Sequence, residues 1–541
     1  MMKLLYNLTF CWLVALQGCN DSADPVAVRH RLIYNNDGTE ILGNNWFNKR
    51  PLTLGDLNRY VDMVANSQVT TFMICSGSDF FYYRSKYGSI IGDDKNGQLN
   101  CGKNTALYNT LRRFYHNAMV LDKEGTDIVE ATLKRAKEKK LEAFITYRMN
   151  DLHFADTTTQ CSIQYSDFWI AHPEWWTNDT TLTGWHSNNA LDFAHKEVRD
   201  HKLGIIKEQL EKYDMLDGYE LDFMRFIVYF KRGEGVKNAP LMTGLVKDIR
   251  NIVDSLSHVR KKKILLTARV PPMIETCIDK GLDVKEWVKQ GLLDFVTLGI
   301  HWLGEPAMPV AQFKKDLGYD TPVYATIDDG GYLPREVYSH GMYRGMASHA
   351  LAQGADGINL FNYFFTEYNN AGGQLHPLEG TEVCRTIAPE LLQEIGSLET
   401  LKKRNKIYSL SDGASSYGLQ PNSPLPLKVT ENAGATIYVG DDVQEDQPEE
   451  IVLFVRTNTR DTLSVSINGY FLQHQNPAYP QLFDKLQNIK DTQKVSAYIV
   501  PAAHLVQGEN KINFSTTGTN VVVQRIELAL KYGAVEQYGF F

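Results

Sequence analysis

Metal-ligand spacing is missing from this chain: there is no CxxC pair and no HExxH motif, so no metal is expected. No glycine-rich turn follows an early strand, which removes the usual cradle for a dinucleotide, and no cofactor is expected. Nor is there a basic block to track a phosphate backbone. The 56 Lys and Arg stand against 64 Asp and Glu, a mildly negative balance that argues against nucleic acid as a partner. Cysteine is scarce, at seven in 541 residues, and this is no disulfide scaffold. Setting aside Cys11 and Cys19 near the start leaves Cys75, Cys101, Cys161, Cys277 and Cys384; Cys101 with Cys161 is one pairing that export would permit. Long apolar runs are also few. The one from Leu4 to Leu16 is too short for a stable spanning helix, and no later segment approaches the necessary length.

What that early run does suit is a secretory segment. Lys3 precedes it, and Leu16-Gln17-Gly18-Cys19 follows, so residues 1–19 read as a signal peptide. The last four resemble the bacterial lipobox, which implies that Cys19 becomes the lipidated first residue of the mature protein; an ordinary signal with an accidental cysteine is the alternative. Residues 20–27 read as a polar tether. The expected location is the bacterial cell envelope, outside the cytoplasm, with membrane contact through the lipid anchor only.

A chain of 541 residues with 43% hydrophobic content exceeds one ordinary core. From 28 to 400, short apolar runs alternate with amphipathic segments, the pattern of parallel strands covered by helices. The strand candidates are 71–76, 141–148, 218–223, 264–270, 295–300, 323–327 and 357–361, with an early one at 32–35 or near 118–121. Helices are expected at 126–139, 195–213, 242–256 and 384–394. Seven or eight such units predict a (β/α)8 TIM barrel in preference to an open doubly wound sheet. Residues 401–430, with Pro421, Pro424 and Pro426, read as a linker. Residues 431–541 alternate like strands and predict an all-β sandwich of jelly-roll type, which resembles the galactose-binding-like accessory domains, notably around Ser466-Ile467-Asn468-Gly469.

The fourth apolar run carries the most chemistry. In Asp217-Gly218-Tyr219-Glu220-Leu221-Asp222-Phe223-Met224-Arg225, strand alternation puts Glu220 and Asp222 on one face. Two carboxylates on one interior face need cations, a shared proton or a substrate, and acid/base chemistry on sugars uses such a pair. The structural alternative is an ion cluster neutralised by Arg225 and other arginines. Active sites of these barrels lie at the strands' C-terminal ends, so the residues closing each run become binding candidates: Arg148, Asn150, Asp151, Arg225, Arg269, His301, Trp302, Asp328, Asn362 and Tyr363. Asn35-Asn36-Asp37-Gly38 reads as a turn with a ligand role open. The stretch between the third and fourth runs crowds Phe168, Trp169, Trp175, Trp176 and Trp185 with His172, Glu174 and His186, as a sugar platform or as a small self-packed subcore.

The lipobox, Asn35-Asn36-Asp37-Gly38, Arg148-Met149-Asn150-Asp151, His172-Pro173-Glu174-Trp175 and the 217–225 segment together resemble the family-10-like glycoside hydrolases of Bacteroidota, over roughly residues 28–400. The resemblance implies a TIM-barrel glycosidase acting on a polysaccharide or its fragments. The same segment is similar to the fourth-strand motif of family 18 chitinases, but Met224 stands where the chitinase acid belongs, so that route is not inherited. Asp222, further along the strand, is the first candidate to touch the scissile bond, with Glu220 deeper as second carboxylate or tuner; Asp151, Asp328 and Glu367 remain candidates for the partner acid. Three strand-end arginines admit two readings, as binders of an anionic glycan or as partners of Glu220 and Asp222. The rival reading is a non-catalytic surface glycan-binding lipoprotein, and lyase chemistry is a third.

Overall fold

The structure, a computed structural model, describes residues 30–43, 51–94, 97, 99–153, 166–180, 187–300, 308–328, 339–363, 376–377, 384–385, 389–411, 424–430, 433–459, 463–475 and 494–534. The stretches read as signal peptide and tether, with Cys19, and Cys161, Trp185, His186, His301, Trp302 and Glu367 lie outside the described residues.

Eight parallel strands close on themselves in sequence order, as the alternation of apolar runs predicts. They are β1 (Arg31–Asn36), β2 (Thr71–Cys75), β3 (Glu142–Arg148), β4 (Gly218–Asp222), β5 (Leu265–Val270), β6 (Phe295–Leu298), β7 (Val323–Asp328) and β8 (Gly357–Phe361). The ring is completed by β1 pairing with β8, Ile33 opposite Asn359. The early strand is thus the one near Leu32; the alternative near Ala118 lies inside the helix Thr105–Lys123. That segment runs 19 residues from an Asn104 cap with no Gly or Pro inside it, which suits a helix and not a short strand. The expected helix over 384–394 is also corrected. Cys384–Arg385 pairs with His376–Pro377, and Pro389–Gln393 is a 3-10 turn. Pro389 disfavours the helical conformation in the residue before it, so no helix runs through from Cys384.

Among the described residues, Cys75 and Cys277 are free and buried, and Cys101 is disulfide-bonded. No described helix is long and apolar enough to cross a membrane.

After the barrel, two antiparallel sheets enclose a second core. One contains Lys406–Ser411, Val522–Lys531, Glu450–Thr457, Lys494–Ile499 and Gln473–His474; the other contains Ala433–Val439, Gly508–Thr516, Leu463–Ile467 and Tyr470–Phe471. Lys406–Ser411 falls in the stretch read as linker, yet it is a full strand against Val522–Lys531. This sheet packs on the barrel helix His340–Ala352: Ile407, Phe454 and Ala529 join the barrel's own hydrophobic cluster. Tyr408 Oη donates to Ser348 Oγ at 2.8 Å, and a Cβ on Gly345 would stand 1.9 Å from the Ile407 carbonyl oxygen. Only glycine lets helix and strand approach so closely.

Candidate active site

The barrel interior is built in tiers, and each follows from strand alternation. At the base, Arg31 pairs with Glu142 at 2.7 Å and donates to Tyr324 Oη at 2.7 Å. Above it lies an apolar floor of Ile33, Met73, Phe144, Leu265, Phe295 and Tyr324. Gly218 makes room for it, since a Cβ there would meet the Phe144 ring at 2.1 Å. The next tier is polar: Asn35, Thr146, Glu220, Thr267, Thr297, Thr326 and Asn359, all buried. One step higher stand Arg148, Asp222, Arg269 and Asp328, with Arg148, Asp222 and Arg269 level across β3, β4 and β5.

Both expected carboxylates therefore face the interior, in different surroundings. Glu220 is fully buried, and its Oε1 accepts from Asn35 Nδ2 across the barrel at 2.9 Å and from Thr146 Oγ1 at 2.8 Å. Its Oε2 has no hydrogen-bond partner among the described residues. Burial, and then the Asp222 charge, push this carboxyl up to about 7. Asp222, 1% exposed, is clamped by the Arg269 fork: Oδ1 accepts from Nε at 2.9 Å and Oδ2 from Nη2 at 3.2 Å. Met224 N–H adds a third donor at 2.8 Å. Arg269 is held flat over the Phe361 ring, its guanidinium carbon 3.7 Å from the centroid. The arginine thus serves Asp222, while Glu220 takes its donors from β1 and β3. Asp217, which opens the same sequence motif, lies at the opposite end of β4, paired with Lys137 at 2.7 Å and Lys262 at 2.8 Å.

A chain of alternating groups crosses the mouth from β8 to β4. Asn362 Nδ2 donates to Asp37 at 3.3 Å; Asp37 lies 3.3 Å from Arg148 Nη2; Arg148 Nη1 donates to Asp151 at 2.9 Å. Asp151 engages His153 Nδ1, and His153 Nε2 lies 3.2 Å from Arg225 Nη2. Arg148, Asp151, Arg225 and Asn362 are thus brought together as expected of a mouth, and Asp328 lies close enough for its charge to act on Arg269 and Arg225. Two other candidates are placed differently. Asn150 Nδ2 staples two loops by donating to the carbonyls of Leu191 at 3.1 Å and Val228 at 2.6 Å. Tyr363 packs edge-on against Tyr343 of the helix His340–Ala352 at 5.2 Å.

Sequence reasoning saw His153 at the end of the third run without assigning it a role, and did not single out Thr146 or Tyr82. His153 was legible as the residue two past Asp151 at a strand end, and Thr146 as the polar position two before Arg148 on the same face. Tyr82 offered no signal, since its ring reaches the mouth through a loop that folds against Gly38. The aromatic insertion packs on itself. Trp169 stacks on Trp176 at 4.1 Å, His172 on Trp175 at 3.6 Å, and Phe168 on His201 of the helix Lys196–Lys212 at 3.8 Å.

The interior and mouth concentrate buried polar atoms without hydrogen-bond partners: Glu220 Oε2, Asn35 Oδ1, Thr297 Oγ1, Asn359 Oδ1 and Arg269 Nη1 inside, and Tyr82 Oη, Arg148 Nη2, Arg225 Nε and Asn362 Oδ1 above. Each such group costs about 1–3 kcal/mol when left dry. A concentration of them at one end of a barrel marks where polar matter from outside belongs.

No family model matches the chain, and no curated protein matches it. Similar solved structures include an endo-β-1,4-mannanase from Thermotoga petrophila, 11% identical with a TM-score of 0.38, covering 93% of this chain and 99% of that one. A GH36 α-galactosidase from Geobacillus stearothermophilus is 10% identical with a TM-score of 0.35, covering 93% of this chain and 56% of that one, so this chain spans little more than half of that enzyme. A GH29 α-L-fucosidase from Bacteroides thetaiotaomicron is 10% identical with a TM-score of 0.34, covering 90% and 93%. Likenesses this distant add nothing to the argument about chemistry, which rests on the geometry above.

Proposed function

We propose that this chain is a glycoside hydrolase whose proton donor is Glu220. The carrying observation is the state of that side chain. Its carboxyl keeps a proton to about pH 7, and because Oε1 already accepts two hydrogen bonds, the proton belongs on Oε2, which has no acceptor. A proton held near neutrality and lacking a recipient is what general-acid cleavage of a glycosidic bond requires. Glu220 would protonate the leaving oxygen as the anomeric carbon–oxygen bond breaks, the bond's electron pair staying on that oxygen. Asp222, fixed by three donors, would stabilise the positive anomeric centre or attack it, and water would complete the hydrolysis. The resemblance of the 148–151, 172–175 and 217–225 segments to family-10-like glycosidases supports the same reading.

Reducing-end release from a panel of neutral, uronic-acid and sulfated glycans tests it, with Glu220→Gln as control. Cleavage lost by roughly a hundredfold or more in the variant is the expected result. Cleavage equal in both proteins would remove Glu220 from the reaction. The rival, a glycan-binding lipoprotein without catalysis, is favoured by one observation: both carboxylates are shut from solvent, Asp222 with its donors in place. Tight binding with no cleavage by the wild type would establish that reading instead.

We also infer that the protein acts outside the cytoplasm, anchored through Cys19. Cys19→Ala, expressed in a bacterium, should move it from the membrane to the soluble envelope fraction; unchanged membrane retention would discard the anchor.

A further inference from the structure

Arg225 is a buried cation with no carboxylate in ion-pair contact among the described residues. It is 9% exposed, its Nη2 faces the imidazole of His153 at 3.2 Å, and its Nε has no hydrogen-bond partner among the described residues. The nearest like charge makes matters worse: burial and the neighbouring Arg148 both work against its ionised form. Arg148 is itself engaged by carboxylates on both sides, Nη2 lying 3.3 Å from Asp37 and Nη1 donating to Asp151 at 2.9 Å. The carboxylates of Asp151, Asp37 and Asp328 act on Arg225 only through space, and the first two already serve Arg148. A buried guanidinium with no contacting carboxylate is costly unless a counter-anion arrives, and the open Nε–H of Arg225, beside a second guanidinium at one mouth, suits an oxyanion.

We propose that the substrate is an acidic glycan, whose carboxylate or sulfate ester seats against Arg225 Nε, beside the Arg148 guanidinium. This rests on reading the barrel mouth as a sugar site, and it adds the chemical class. The anionic substituent completes the network that runs from Asp37 to His153, so binding aligns the sugar ring above the successive tiers of Asp222 and Glu220.

The test uses the full chain and reads binding, not cleavage. Crystals soaked in selenate should show anomalous density within hydrogen-bond reach of Arg225 Nε. In calorimetry at fixed ionic strength, galacturonate and galactose 6-sulfate are compared with methyl galacturonate ester and galactose. At least one anion should bind roughly tenfold or more tightly than its neutral counterpart, as charged hydrogen bonds imply. The arm that binds tighter identifies carboxylate or sulfate as the natural substituent. Arg225→Gln should erase the preference, and Arg225→Lys, which keeps the charge without the fork, should retain part of it. The wild-type comparison needs no variant, so it decides the matter even if Arg225→Gln fails to fold. An empty selenate site together with equal or no binding of charged and neutral sugars overturns the proposal; Arg225 would then only balance the Asp37, Arg148 and Asp151 trio. Anion binding without bond cleavage would leave this site standing and remove the hydrolase reading.

Discussion

Asn35 and Glu220 meet across the barrel interior, Nδ2 donating to Oε1 at 2.9 Å from the first strand to the fourth. The contact holds one oxygen of the carboxyl in place while the other stays free, and it favours the ionised form against the burial that raises the carboxyl to about 7. Asn35→Ala should therefore move the titration of Glu220 upward by about one pH unit. The basic limb of any pH–activity profile should follow it. An unchanged midpoint would mean that the cross-barrel bond does not tune the acid.

Stability should also record this proton. An unfolded glutamate ionises near 4.5, whereas Glu220 in the fold keeps its proton up to about 7. With a folded value above the unfolded one, this group's contribution is fully present below about 4.5 and is lost as pH rises through about 7, a loss on the order of 3 kcal/mol. Glu220→Gln removes the term. Urea midpoints at pH 5 and pH 8 should thus differ less in the variant than in the wild type; equal differences would place the Glu220 value near that of an ordinary carboxyl.

Asp222 is bound to Arg269 so closely that the two should behave as one unit. Asp222→Asn leaves a buried guanidinium facing a neutral amide and should cost on the order of 3 kcal/mol. It is therefore not a silent probe of catalysis, and its activity must be read beside its stability. Combined with Arg269→Met, the loss should be smaller than the sum of the two single losses, because the second change removes the unpaired charge. Additive losses in urea unfolding would show that the pair is not coupled.

Gly345→Ala tests the docking of the C-terminal sheets. Its methyl group would overlap the Ile407 carbonyl oxygen, since an ideal Cβ stands only 1.9 Å away. Strand and helix must part, at a cost of about 1–3 kcal/mol, seen as a lower Tm. An unchanged Tm would mean that the sandwich rests loosely on the barrel.

The barrel was legible because each strand is an apolar run closed by a polar residue, and the pairing of Glu220 with Asp222 on one face follows from a period of two. What alternation could not provide is which groups meet across the interior. Asn35 sits in a stretch whose composition reads as a turn, yet it completes a strand and reaches Glu220 at a sequence separation of 185. Likewise the arginines were visible as strand-end cations, but their partition was not. Arg269 takes Asp222, Arg148 is shared by Asp37 and Asp151, and Arg225 is left facing a histidine. The strand Lys406–Ser411 was hidden by its basic flank, which reads as a solvated junction until Lys406 is seen buried against Asp441 at 2.7 Å.

The most direct measurement is an infrared titration of the Glu220 carboxyl in the folded full chain, isolated by subtracting the Glu220→Gln spectrum. The protonated carboxyl band should persist through weakly acidic pH and disappear with a midpoint of about 7. A carboxylate band already complete near the ordinary glutamate value of 4.5 would contradict the account, because the site would then hold no proton to give.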